Sequence, residues 1–115
     1  MAYARRPLVW LSGEIKTPPF SADARLEAGV LLRRVQRGDK IQMPHGHSLP
    51  ELGARCGELR VPDDAVTWRI LYRSDPDAVI IADVFAKKTQ AIPAHILARA
   101  RARLRQYDRT IHGDD

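Results

Sequence analysis

The chain has one cysteine, Cys56, so no intrachain disulfide can form. That fits a reducing compartment. No stretch approaches the roughly 18 apolar residues of a membrane-spanning helix. The segment Met1-Ala2-Tyr3-Ala4-Arg5-Arg6-Pro7 is basic, but only Leu8-Val9-Trp10-Leu11 follows, too short for the apolar core of a secretory signal. These absences predict a cytoplasmic protein with no membrane partner. The sequence also lacks a phosphate-cradling glycine loop and a nucleophile elbow, and it has no repeat, domain linker or low-complexity segment. His45, His47 and Cys56 lack the paired ligand spacing of a zinc site, so no metal and no cofactor is expected.

What is present is positive charge, unevenly placed. The 115 residues carry a formal net charge of +5. Residues 86–115 hold seven Lys/Arg against three Asp, a net of +4, and the rest is nearly balanced. A basic end on one small domain points to a polyanion or to an acidic protein partner. The length suits a single domain over residues 1–115 with one modest core.

The clearest pattern runs from Trp68 to Lys88. Trp68, Ile70 and Tyr72 alternate with Arg69, Leu71 and Arg73, the period of a half-buried strand. Asp75-Pro76-Asp77 is a turn, since proline fixes φ and aspartate bonds to nearby amides. Residues 78–88 form an apolar, β-branched strand that ends in Lys87-Lys88. Upstream, residues 58–61 read as a short strand and 62–65 as a turn. Leu8 to Ile15 reads as a first strand, stopped by Pro18-Pro19. Ser21 is placed to cap a helix that runs to about Arg37, with Ala24, Ala28, Leu31, Leu32 and Val35 on one stripe. Leu26 and Val30 lie opposite that stripe, which predicts cover on two faces. Residues 39–57 read as one long loop.

Pro93 suits the first turn of a last helix with the stripe Ile96, Leu97, Ala100, Leu104 and Tyr107. The tail after about residue 108 is expected to fray. Trp10 and Trp68 read as core. The order strand, helix, strand, strand, strand, helix predicts an α+β fold: a small antiparallel-rich sheet packed on helices.

Glu58-Leu59-Arg60, Thr67-Trp68-Arg69-Ile70-Leu71-Tyr72-Arg73 and Val84-Phe85-Ala86-Lys87-Lys88-Thr89 together resemble the RelE/HigB-like toxins of type II toxin–antitoxin systems. The nearest likeness is to the phage-derived HigB-like branch of the RelE/ParE superfamily, over about residues 5–108. The resemblance implies a microbial-ribonuclease-like fold, no metal, and ribosome-dependent cleavage of mRNA. It also implies a cognate antitoxin, commonly a helix-turn-helix protein. Family members of the ParE branch instead poison DNA gyrase without cleaving RNA. A phage-derived protein that keeps the fold only to bind a partner is the third alternative.

Metal-free RNA cleavage needs positioned cations where charge develops on phosphorus. By the resemblance, Arg69 is the first candidate, with a planar fork suited to phosphate, and its structural alternative is an ion pair with a carboxylate on a neighbouring strand. Arg60, Lys87 and Lys88 complete the candidate catalytic set, and one of the two lysines should face the site. An ion pair of Arg60 with Glu58 or Asp83 is its structural alternative. His45, His47 and Arg73 are the candidate RNA-binding residues, the histidines because imidazole titrates near neutrality. Glu58 departs from the family pattern, since several members carry a catalytic lysine there.

Overall fold

The computed structural model describes residues 5–17, 19–87 and 91–113. The alternating strand predicted around Trp68 is the centre of the sheet. It is β4, Val66–Ser74, flanked by β3, Cys56–Asp63, and β5, Val79–Lys87, both antiparallel to it. A three-residue strand, β2 (Gly46–Ser48), pairs antiparallel with β3 at one edge. At the other edge β1, Leu8–Trp10, pairs parallel with β5. The sheet order is β1-β5-β4-β3-β2.

The two helices cover opposite faces. Helix α1, Ala22–Gln36, buries Ala24, Ala28, Leu31, Leu32 and Val35. They pack against Leu59, Val61, Ile70, Tyr72, Val79 and Ile81. Helix α2, Ala94–His112, buries Ile96, Ala100 and Leu104 against Leu71, Ile80 and Ala82. Side chains alternate along a strand, so β4 and β5 feed both cores. That explains why β5 reads as a nearly continuous apolar run. The α+β fold with an antiparallel-rich sheet packed on helices is therefore present, as a mixed sheet between two helices.

Local chemistry sets the ends of α1. Ser21 Oγ accepts a hydrogen bond from the Ala24 amide at 3.1 Å. Past the other end, Gly38 has φ +94°, its amide donates to Val35 O and the Asp39 amide to Arg34 O. That paired closure needs a left-handed residue, which glycine supplies. Arg6 then seals the same end. Its guanidinium donates to Val35 O at 2.6 Å and to Asp75 O at 2.6 Å, tying α1 to the β4–β5 turn.

Several boundaries differ from expectation. The first strand stops at Trp10 instead of Ile15. Residues 39–57 are not all loop, because β2 lies inside them and β3 begins at Cys56. Leu26 and Val30 are 61% and 48% exposed, so α1 is covered on one face only. Trp10 is exposed, whereas Trp68 stacks on Phe20 with ring centroids 4.0 Å apart. The helix α2 continues through Asp108 to His112 where fraying was expected. No helix among the described residues is long and apolar enough to cross a membrane.

Gly57 and Tyr72 face each other across β3 and β4. The Tyr72 ring occupies the space where a β-carbon at position 57 would stand, 2.8 Å from Tyr72 Cε1. An aromatic laid over a cross-strand glycine protects a weak point in the ladder. Gly57→Ala should therefore cost about 1–3 kcal/mol, the scale of overpacking. Urea denaturation of the variant measures it, and an unchanged midpoint would mean that the ring is free to move aside.

Candidate functional site

Strand register gathers the candidate residues. Directly opposed residues share a face of the sheet, and so do alternate residues along one strand. One row across the α2 face is His47–Glu58–Leu71–Asp83. The next row is Arg60–Arg69–Phe85, and the third is Pro62–Thr67–Lys87. A carboxylate row thus lies against a cationic row. Arg60 and Arg69, directly opposite each other, need an anion between them, because like charges in that position repel.

Glu58 supplies it. Its Oε2 accepts from Arg69 Nη1 at 2.7 Å. Its Oε1 accepts from Arg60 Nε at 2.9 Å and faces His47 Nε2 at 2.7 Å. Side-chain exposure rises outward through the cluster: 0% for Glu58, 3% for Arg69, 16% for Arg60 and 33% for His47. The carboxylate is the sealed floor, and Arg60 and His47 are what solvent reaches. Burial pushes the Glu58 carboxyl up, but hydrogen bonds from Arg69 and Arg60, the Arg69 charge and the His47 contact together hold it below its ordinary value. Glu58 is therefore an ionised, enclosed anion whose charge sets the geometry of the cations around it.

His47 is placed by β2. Its Nδ1 lies 2.7 Å from Ser48 O, and its Nε2 points at Glu58. Oxygen atoms thus face both ring nitrogens, and Arg60 Nη2 lies 3.4 Å from Nε2. Lys87 joins the same face by register and is partly exposed. Lys88 lies outside the described residues.

Other predicted residues fall elsewhere. His45 is exposed just before β2, and its backbone oxygen accepts from the Arg60 amide at 2.9 Å. Arg73 sits four residues along β4 from Arg69. It binds Asp75 through Nε at 2.7 Å and Asp108 through Nη2 at 2.7 Å, which fastens β4 to α2. The Arg73 hydrogen bond holds the Asp108 carboxyl below its ordinary range. Cys56 is buried, and burial pushes its thiol up to about 11, so it is no thiolate nucleophile at neutral pH. Among the described residues no group of three or more His, Cys, Asp or Glu is placed to hold a metal.

Two features were not read from the sequence. One is the contact of His47 with Glu58, which needs β2 to be recognised. The other is Asp83, which accepts from Arg99 Nη2 at 2.7 Å and holds the start of α2 to the sheet. The i, i+2 spacing of Glu58 and Arg60 was the available signal for a shared face, and the structural alternative for Arg60, an ion pair with Glu58, is present.

Glu58→Gln keeps the shape and removes the charge. Removing one partner of a buried pair costs on the order of 3 kcal/mol. The sign with pH follows from the lowered carboxyl. The stabilisation is complete above the ordinary value of 4.5 and is lost as pH falls through the lower native value. Thermal unfolding from pH 7 down to acid should show wild-type stability falling in that range, with a shallower fall in Glu58→Gln. Identical slopes would mean that Glu58 is not ionised in the fold.

The model of the family described as "Phage derived protein Gp49-like (DUF891)" matches residues 18–105, a span that includes α1, the β2–β5 sheet and most of α2. No curated protein and no solved structure matches the chain. On that match over most of its length, the chain belongs to the Gp49-like family of phage-derived proteins, a toxin-like family of toxin–antitoxin systems.

Proposed function

We propose that this protein is the toxin of a toxin–antitoxin pair and cleaves mRNA on the ribosome, with no metal in the reaction. The observation that carries the reading is the layered cluster on the α2 face. It presents Arg60, His47 and Lys87 outward over the sealed Glu58–Arg69 pair. Family membership supports a toxin-like role.

The reaction is attack of a ribose 2′-OH on the adjacent phosphate. A 2′-O–P bond forms, the P–O5′ bond breaks, and the 5′ oxygen takes a proton. Arg60 and Lys87 stabilise the charge that grows on the phosphoryl oxygens. His47 is the acid for the 5′ oxygen once Nδ1 exchanges Ser48 O for substrate. Solvent accepts the 2′-OH proton. Arg69 and Glu58 act through the others as positioning residues, because neither is open to substrate. Arg69 thus takes a supporting role where the sequence suggested direct phosphate contact.

The cognate antitoxin, a helix-turn-helix protein on this reading, silences the toxin by covering the cationic face. A binding-only toxin of the gyrase-poisoning type is the second reading. It is favoured by the seal over Glu58 and Arg69, which leaves fewer groups free for chemistry.

Primer extension on a reporter mRNA, with and without translating ribosomes, tests the proposal. Discrete cuts that require ribosomes are expected. His47→Gln and Arg60→Ala should each slow cutting by about a hundredfold or more, the scale for one acid or one charge-stabilising donor. Arg60→Lys should recover part of the loss. Growth arrest with intact mRNA, accompanied by DNA-damage signalling, would select the binding-only reading instead.

A further inference from the structure

Helix α1 leaves two large apolar side chains in solvent on the side away from the sheet, Leu26 and Val30. They are four residues apart, so they form one patch. The exposed stripe to which they belong runs Asp23, Leu26, Val30, Arg33 and Arg37 at helical spacing. It is acidic toward the start of the helix, apolar in the middle and basic toward the end. Arg34 and Arg37 both bond to Asp39 just beyond the helix. Arg25 and Glu27 flank Leu26 on its two sides with opposite charge. The charges that bracket the patch along the helix are Asp23 and Arg33.

Two requirements narrow the occupant. It brings apolar surface to Leu26 and Val30, and it brings a cation to one end and an anion to the other. A uniformly acidic partner would meet Asp23 as well as Arg33. A second α1 turned end for end satisfies both ends, because the stripe is its own complement. Leu26 and Val30 are centred on position 28, and so are Asp23 and Arg33. With a twofold axis at that level, Leu26 of each copy stands at the height of Val30 of the other, and Asp23 at the height of Arg33. Gly29 lies next to the same level. A mid-helix glycine is less favourable than alanine. A β-carbon there would meet only Arg33 Nη1, at 3.5 Å, an ordinary contact. Nothing in the described chain crowds the position, and its missing side chain lets a second backbone come close.

We propose that this face of α1 is a self-association surface, on which two copies of the chain pair as an antiparallel twofold dimer. Helix α1 and the Glu58 cluster lie on opposite faces of the sheet, so the dimer leaves both cationic faces open, whatever their chemistry. The contact is one helix face per copy, at the small end of specific interfaces. Association is therefore reversible and rises with protein concentration.

Sedimentation equilibrium of the purified protein over a wide concentration range tests this, and a monomer–dimer equilibrium is expected. Leu26→Ala should weaken it about tenfold or more, since each dimer loses two leucine contacts. Asp23→Arg and Arg33→Asp should each weaken it by about as much, because each sets like charges opposite one another at both ends. The two single variants, mixed, should pair with each other. The double variant Asp23→Arg/Arg33→Asp should recover dimerisation, since an antiparallel pair then meets opposite charge again. Asp23 also favours the first turn of α1. Thermal unfolding of each variant therefore checks the fold, and the double variant carries the same change at position 23. A monomer at every concentration would overturn the proposal and leave the patch to a different protein. A dimer indifferent to the single reversals, or a folded double variant that stays monomeric, would overturn it as well.

Discussion

The organisation of this protein depends on one anion in the sheet. Arg60 and Arg69 stand opposite each other on neighbouring strands, and Glu58 lies between them with no exposure to solvent. Without a carboxylate there, two guanidinium groups would repel in a poorly solvated place. With it, the strands carry a row of fixed charges whose outermost members reach solvent. A buried ion network of this kind is weak evidence of stability, because desolvation offsets most of the attraction. Its contribution here is placement: the same carboxylate fixes Arg69 and Arg60 and orients His47.

The second carboxylate on that face, Asp83, works on the other side of Leu71. It gathers Arg99 and Arg103 from α2. The arginines of the last helix, which on composition alone look like a solvated basic face, therefore divide. Arg99 and Arg103 dock the helix, Arg101 donates to Glu51 O, and Arg105 remains on the exposed side. Arg73 adds a third fastening through Asp108. Much of the excess positive charge that suggests a polyanion partner is thus already committed to internal carboxylates.

How much of this was legible depended on the range of the interaction. The face alternation of β4 and the α1 stripe are local patterns, and both appear in the structure, but β4 is buried on both faces from Arg69 to Tyr72 and not half-buried as the alternation suggested. Strand β2 was hidden because Gly46, His47 and Ser48 have little strand preference of their own, and the β3 ladder recruits them. The length of α2 was hidden because its last turns lack an apolar stripe. Asp108 and Arg73 hold them instead. For the site, the two arginines and the face they share could be read from alternation. The enclosure of Glu58 could not, since it depends on which residue of a distant segment lies opposite. The Gp49-like match agrees with the phage-derived character that the motifs suggested, and it goes no further toward the reaction.

The parallel edge strand has a consequence for how the molecule comes into being. Leu8–Trp10 precede nearly the whole sheet in the chain, yet their partners are Val79–Ile81. Arg6 likewise waits for Asp75 and for the end of α1. A nascent chain therefore carries β1 unpaired until nearly the whole sheet has emerged, the kind of late, long-range closure that slows folding. Polypeptides cut short before β5 cannot complete the scaffold beneath the cationic face. Vectorial synthesis alone then keeps such fragments from assembling that surface.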